Sequence, residues 1–136
     1  MSGVKLTDIV EKMNLKNLTP EVDITEREVL VPDVNRPALQ LAGFFDHFDL
    51  NRVQIIGNVE CAYLETLAEE KRVEIYQKLL EHKVPCIIFS NELQPDESFI
   101  EIAQKNDIPV FGTCKKTSSF MGELIRWLNV KLAPCI

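Results

Sequence analysis

The chain has 136 residues, of which 46% are hydrophobic and 26% are charged, a composition typical of one globular domain rather than of a disordered or fibrous protein. Its 15 basic and 21 acidic side chains give a net charge of −6 without any basic run, which makes it a poor electrostatic partner for nucleic acid or anionic lipid. No apolar run approaches the ~20 residues of a membrane helix, and the first residues lack a signal-peptide pattern. We therefore expect a cytoplasmic protein that binds neither nucleic acid nor membrane.

The first 50 residues have the less regular pattern. Apolar spacing predicts a helix over residues 4–14, and Asn14 and Asn17 are expected to break it. The segment Glu28–Val31 is typical of a strand. The pattern leaves open whether this strand joins a larger sheet or forms a separate edge element.

From residue 53 onward, strand and helix patterns alternate. In chain order they predict a strand over 53–56, helices over 59–68 and 70–82, a strand over 86–89, a helix over 96–106, a strand over 109–112 and a helix over 117–132. Such alternation favours an α/β domain in which a mainly parallel sheet is covered by helices and connected by right-handed crossovers.

The glycines argue against a phosphate-binding loop. Phosphate cradles use closely spaced glycines because backbone N–H groups must approach the ligand without an intervening Cβ. The five glycines of this chain form neither Gly-x-x-x-x-Gly-Lys-Ser/Thr nor Gly-x-Gly-x-x-Gly. We therefore expect no bound nucleotide cofactor in this chain.

Histidines and cysteines offer few candidates for catalysis. His47 and His82 lack the neighbouring residues of a metal site or a catalytic triad, so we expect no metal and no catalytic residue. Cys86 lies in an apolar strand and is expected in the core. Cys114 precedes Lys115 and Lys116 near a helix start, where positive charge lowers a thiol pKa. A thiol-dependent enzyme centred on Cys114 is one alternative function, and an ordinary loop thiol is the other interpretation.

Position in the predicted sheet suggests a ligand site. Ligands of parallel α/β sheets gather beyond the carboxyl ends of the strands, where this chain has hydroxyl, amide and cationic side chains at a helix start. These groups could bind a small anion, or Thr117 or Ser118 could simply cap the last helix. The candidate ligand-binding residues are Ser90, Asn91, Thr113, Lys115, Lys116, Thr117 and Ser118.

The string from Asp33 to Pro37 is the most distinctive local sequence. Asp33 and Asn35 favour a turn, Arg36 is suited to bind a carboxylate in two-point fashion, and Pro37 can open a short helix that ends at Gly43. The pattern fits a structural turn held by a salt bridge, and it fits equally an interaction surface. Asp33, Asn35 and Arg36 are therefore candidate interface residues.

Several strings together resemble the N-terminal part of bacterial HPr kinase/phosphorylases, in order and over essentially the whole chain. The Asn-Arg-Pro and Leu-Ala-Gly-Phe strings make the resemblance specific. The matching segments are residues 33–37, 39–45, 52–57 with Glu60, 84–88, 108–110 and 132–134.

The resemblance implies a three-layer α/β sandwich, similar to Mur ligase N-terminal domains, formed by residues 1–136 as a single regulatory or assembly domain. It implies that the P-loop kinase domain, which uses ATP or pyrophosphate with magnesium, lies outside this chain. The family phosphorylates a serine of HPr and reverses that reaction, controlling carbon catabolite repression. The implied partners are the kinase domain, neighbouring subunits of a hexamer, and HPr. A stand-alone anion-binding or thiol-dependent module is the alternative.

Overall fold

A computed structural model of the protein describes residues 3–133 as a three-layer α/β sandwich, with a central sheet between two helical layers. The elements in chain order are β1 (Val4–Lys5), α1 (Leu6–Met13), β2 (Lys16–Asn17), β3 (Glu28–Val29), β4 (Val34–Asn35), α2 (Ala38–Leu41), β5 (Val53–Ile56), α3 (Asn58–Glu65), α4 (Glu69–Leu80), β6 (Ile87–Phe89), α5 (Glu97–Lys105), β7 (Val110–Gly112) and α6 (Thr117–Leu132).

The central sheet has five strands in the order β2-β7-β6-β5-β4. Strands β4 to β7 run parallel, and β2 pairs antiparallel with β7 at one edge. The register aligns Ile55 with Ile88 and Ile88 with Phe111. The predicted parallel sheet of β5, β6 and β7 is therefore confirmed, and two short edge strands extend it.

Each face of the sheet forms its own hydrophobic core. Ile55, Ile88 and Phe111 pack on one face with buried side chains of α1 and α6. Ile56 and Ile87 pack on the opposite face with α2, α3, α4 and α5. Strands buried on both faces must be largely apolar at successive positions, which explains the apolar run of β6. In β5 the buried Gln54 is the one polar residue, and it is hydrogen-bonded to Asn35 and to the carbonyl of Arg52.

The helix predicted over residues 4–14 was wrong at its start. Val4 and Lys5 form β1, which pairs antiparallel with β3 in a separate two-stranded sheet. A short apolar pattern cannot separate a strand from the first turn of a helix, so the pairing partner decided the structure here. Asn14 ends α1 in the left-handed conformation (φ 52°), as expected. Asn17, expected to break the chain, lies in β2 instead.

The segment around Asp33 was only partly predicted. Val34 and Asn35 form β4 instead of the expected turn, because Val34 pairs with Val53 of β5. The predicted short helix is present as α2, which begins directly after Pro37. Gly43 follows it with φ +100°, a conformation that side chains rarely adopt, so the expected glycine role is confirmed.

The helices predicted in the second half are all present. Their ends differ from the predicted ends by at most three residues, and the largest difference is at the end of α3, where residues 66–68 connect to α4. The helix predicted over 117–132 is α6 over that same range. The match reflects the strong helical periodicity of these segments.

Candidate functional site

The carboxyl ends of the parallel strands bring polar groups together from four parts of the chain. Arg36 follows β4, Gly57 follows β5, Ser90 follows β6 and Thr113 follows β7. Helix α6 begins at the same edge, since the Thr117 hydroxyl lies 2.6 Å from that of Ser90. The sheet topology therefore forms one polar edge from residues up to 81 positions apart.

An ion pair between Arg36 and Glu60 occupies this edge. Nη2 of Arg36 donates to Oε1 of Glu60 at 2.6 Å, and Nε lies 3.1 Å from Oε2. The Glu60 side chain is 2% exposed and that of Arg36 is 32% exposed. The backbone N–H of Gly57 donates to the same Oε1 at 2.8 Å, which satisfies an N–H group at the start of α3. The buried Glu60 carboxylate thus accepts hydrogen bonds from both the Arg36 guanidinium and the Gly57 N–H.

Gly57 allows the chain segments of this edge to approach closely. A Cβ at position 57 would lie 2.8 Å from Nη2 of Arg36 and 2.8 Å from Oγ1 of Thr117. The Ser90 hydroxyl lies 3.3 Å from the carbonyl oxygen of Ile56 and 2.6 Å from the Thr117 hydroxyl, with which it shares a hydrogen bond. The part of the edge around Gly57 is consequently filled by protein groups that bond to one another. We call Arg36, Gly57, Glu60, Ser90 and Thr117 the Arg36–Glu60 cluster.

The predicted ligand-binding residues divide between internal contacts and the surface. Lys115 pairs with Glu123 at 2.8 Å, and its backbone N–H donates to the Thr113 hydroxyl. That ammonium lowers the pKa of the Glu123 carboxyl below its ordinary value. Ser118 is exposed.

The expected side-chain cap of α6 was wrong. Lys116 occupies the N-cap position without a side-chain hydrogen bond, and Thr117 is the first helical residue. Asn91 contacts this segment through its backbone N–H, which donates to the carbonyl of Lys115 at 2.7 Å. The proposed binding of an anion to these residues stays a prediction.

The candidate interface residues differ in exposure. Asn35 donates from its amide to Gln54 at 2.7 Å and to Gln40 at 3.1 Å, and both glutamines are buried. Arg36 holds Glu60, while Asp33 is exposed. The two-point binding of a carboxylate by Arg36 is therefore present inside the domain, and Asp33 is the member of the set that faces solvent.

Neither Glu60 nor Gly57 is among the site residues that the sequence predicts. The available signal was their spacing, because a glutamate at the third helical position can reach back to the N–H that precedes the helix. Arg36 was identified as a carboxylate partner from its residue type. Arg36 and Glu60 are 24 positions apart in the sequence, so no local pattern predicts that they pair.

The remaining titratable candidates have structural surroundings. Burial raises the pKa of the Cys86 thiol to about 12 and that of Cys61 to about 11, which keeps both protonated. The expected core position of Cys86 is confirmed. The His82 ring stacks on Phe45 with 4.6 Å between centroids. Cys114 is exposed.

Two features are absent from the part of the chain that the structure describes. Among residues 3–133, no group of three or more histidine, cysteine, aspartate or glutamate side chains is arranged to hold a metal ion. No helix formed by these residues combines the length and the apolar character that crossing a membrane requires. Cys135, the fourth cysteine, lies outside them.

The architecture and the Arg36–Glu60 cluster define a class, a three-layer α/β domain whose strand carboxyl edge is closed by an internal ion pair. Residues 4–128 match the family described as "HPr Serine kinase N terminus". The chain belongs to this family.

Curated relatives agree with the family match. The HPr kinase/phosphorylase of Lachnoclostridium phytofermentans is 54% identical over 136 residues, which are the whole of this chain and 44% of that protein. That of Caldicellulosiruptor bescii is 41% identical over 128 residues, covering 94% of this chain and 41% of the relative. That of Leptospira biflexa serovar Patoc is 39% identical over 91% of this chain and 38% of the relative. The chain spans less than half the length of each.

A solved structure shares the fold. It is titled "Crystal structure of the CBS and DRTGG domains of the regulatory region of Clostridium perfringens pyrophosphatase complexed with activator, diadenosine tetraphosphate". The TM-score is 0.64 at 22% identity, over 92% of this chain and 47% of that one. The likeness confirms the α/β architecture. The implied similarity to Mur ligase N-terminal domains stays a prediction.

Proposed function

We propose that this chain is the non-catalytic N-terminal domain of a bifunctional HPr serine kinase/phosphorylase. In this proposal the longer protein phosphorylates and dephosphorylates a serine of HPr and so controls carbon catabolite repression in the cytoplasm. ATP or pyrophosphate and magnesium act in a separate P-loop kinase domain. Membership of the HPr serine kinase N-terminal family and the names of the relatives support the proposal.

The observation that carries the non-catalytic role is the Arg36–Glu60 cluster. A catalytic acid, base or anion-stabilising group must reach the reacting atoms of a substrate. At the strand carboxyl edge, Nε and Nη2 of Arg36 bind Glu60, and the hydroxyls of Ser90 and Thr117 bind each other. The polar groups at the usual ligand position of this fold thus stabilise the domain itself.

Regulation or assembly is the role that remains. We propose that the domain contacts its own kinase domain and neighbouring subunits of a hexamer, with Asp33 at the contact because it is the exposed member of the 33–36 segment. No nucleic acid or membrane is involved, in keeping with the net charge of −6.

A direct assay tests the non-catalytic role. The 136-residue chain is incubated with purified HPr, ATP and magnesium, and in parallel with serine-phosphorylated HPr and phosphate. The full-length Lachnoclostridium relative is the positive control. We expect no change in HPr phosphorylation by the chain alone. Turnover above the enzyme-free blank would refute the proposal.

A chimera tests the contact. This chain replaces the matching N-terminal segment of the Lachnoclostridium relative, and Asp33→Lys is compared with Glu101→Lys, an exposed charge reversal on α5. We expect Asp33→Lys to change the oligomeric mass or the kinase-to-phosphorylase ratio, and Glu101→Lys to change neither. Equal behaviour of the two variants would remove Asp33 from the proposed contact.

The alternative is a stand-alone thiol-dependent module that uses Cys114, and the exposure of this thiol is the observation in its favour. Cys114→Ser in the chimera, together with alkylation of the isolated chain at neutral pH, distinguishes the two functions. The regulatory role predicts that the oligomeric mass and the kinase-to-phosphorylase ratio of the chimera stay unchanged after the substitution. A thiol-dependent function predicts that Cys114 of the isolated chain is alkylated rapidly.

A further inference from the structure

A cavity of about 270 Å³ lies at the carboxyl end of β7, between the edge strand β2 and the loop that follows β6. It is separate from the Arg36–Glu60 cluster, because none of the cluster residues lines it. Its main lining residues are Lys16, Leu18, Glu92, Leu93, Gly112 and Thr113. This is the sheet edge where parallel α/β domains bind ligands.

The cavity places two opposite charges around an apolar surface. Lys16 and Glu92 both line it, and within residues 3–133 neither forms an ion pair with another side chain. Leu18 and Leu93 provide the apolar part of the lining. Both are partly buried against the hydrophobic core on the sheet face that α2, α3, α4 and α5 cover. The Thr113 hydroxyl adds a polar group. A ligand that satisfies this lining carries one positive group, one negative group and an apolar body.

The loop that presents Glu92 is held in an uncommon conformation. Asn91 and Glu92 have φ values of 58° and 59°, in the left-handed region that residues other than glycine adopt uncommonly. Two backbone hydrogen bonds hold the loop. The N–H of Asn91 donates to the carbonyl of Lys115 at 2.7 Å, and the N–H of Glu92 donates to the carbonyl of Thr113 at 2.9 Å. The cavity rim is therefore fixed before any ligand arrives, which reduces the entropy lost on binding.

We propose that this cavity binds a small zwitterion of the α-amino acid class with an apolar side chain. Lys16 binds the carboxylate, Glu92 binds the ammonium group, and Leu18 and Leu93 contact the ligand side chain. The volume lies just below the range of about 300–1,000 Å³ found for drug-sized ligands, which favours a ligand as small as one amino acid over a nucleotide. Such a site goes beyond the proposed regulatory role by giving the domain a ligand to sense.

Titration of the isotope-labelled 136-residue chain tests the site by NMR, with leucine as the first probe and isoleucine, valine and methionine as further probes. We expect millimolar leucine to shift the backbone amides of Lys16, Glu92 and Thr113. The analogues 4-methylpentanoate and 3-methylbutylamine, which lack the ammonium and the carboxylate respectively, should bind at least about tenfold more weakly. Equal binding of either analogue, or no shift at these residues with all four amino acids, would overturn the proposal.

Gly112 supplies a variant that narrows the cavity without harming the fold. A Cβ there would meet Cδ1 of Leu18 at 3.6 Å, an ordinary contact, so Gly112→Ala should fold. Its matched control is Gly122→Ala on α6, where the added Cβ meets only Nη1 of Arg126 at 3.5 Å. We expect Gly112→Ala to weaken leucine binding about tenfold and Gly122→Ala to leave it unchanged.

Charge removal completes the test. Lys16→Met and Glu92→Gln should each weaken leucine binding about tenfold while the amide spectrum of the free chain stays folded. Unchanged affinity in both variants would overturn the assignment of the two charges. Because binding is measured without HPr or nucleotide, its failure would leave the HPr phosphorylation assay, and thus the proposed function, unaffected.

Discussion

Replacing Arg36 by methionine tests how far the Arg36–Glu60 ion pair stabilises the domain. The substitution keeps most of the aliphatic stem and removes the guanidinium, whose Nη2 lies 2.6 Å from Oε1 of Glu60. Glu60 then keeps the bond from the Gly57 N–H but loses its charged partner while it is only 2% exposed. The free energy of unfolding should fall because a buried carboxylate is left without compensation.

The expected loss follows from the exposure of the pair. Removing one partner of a fully buried ion pair costs about 3–5 kcal/mol. The Arg36 side chain is 32% exposed, so water reaches the vacated position and screens part of this cost. We expect a loss of about 2–3 kcal/mol for Arg36→Met. In a double-mutant cycle with Glu60→Gln, the coupling energy should be about 1–2 kcal/mol, because the two side chains are in direct contact.

Urea unfolding followed by the fluorescence of Trp127, the one tryptophan of the chain, measures these changes. With a denaturant dependence of about 1–3 kcal/mol per molar urea, the midpoint for Arg36→Met should fall by about 0.7–3 M. The control is Arg52→Met, since the Arg52–Asp49 pair is exposed and 3.3 Å long and its loss should leave the midpoint almost unchanged. Equal midpoints for the two variants, or a coupling energy near zero, would refute the reasoning.

Three further predictions concern packing and burial. Gly57→Ala should lower the free energy of unfolding by about 1–3 kcal/mol in urea titrations, because its Cβ would lie 2.8 Å from Nη2 of Arg36 and from Oγ1 of Thr117. The control Gly122→Ala should leave the free energy of unfolding unchanged. Thr19→Val should lower the free energy of unfolding by about 1–3 kcal/mol, because it removes the buried hydroxyl that accepts a hydrogen bond from the Val110 N–H at 2.9 Å. Thr19→Ser keeps this hydroxyl and should retain most of the stability. Cys86 should resist iodoacetamide at pH 8 until the chain unfolds, since burial raises its pKa to about 12. Peptide mass spectrometry distinguishes Cys86 from the exposed Cys114, and labelling of Cys86 in the folded chain would contradict the prediction.

Local patterns sufficed for the elements with strong periodicity. The strand over 53–56 and the helix over 117–132 have the predicted ends, because a short, mostly apolar segment and a long amphipathic repeat each favour one structure. Residue type predicts that Arg36 binds a carboxylate, and its pairing with Glu60 confirms this. These properties depend on residue type and short spacing, which the printed sequence contains directly.

The short strands and the site depended on tertiary contacts. Strands β1, β2 and β4 have two residues each, too few for a periodic signal, so their pairing partners determined them. Strand β3 lies within the predicted strand over 28–31, and its pairing with β1 decided that it forms a separate two-stranded sheet. The Arg36–Glu60 pair spans 24 positions, and the proposed cavity joins Lys16 to Glu92, 76 positions later in the chain. The sequence alone therefore determined the α/β class and the helices of this chain. Only the folded sheet decided which distant side chains meet at its carboxyl edge, because that proximity arises from strand order and register and not from separation along the chain.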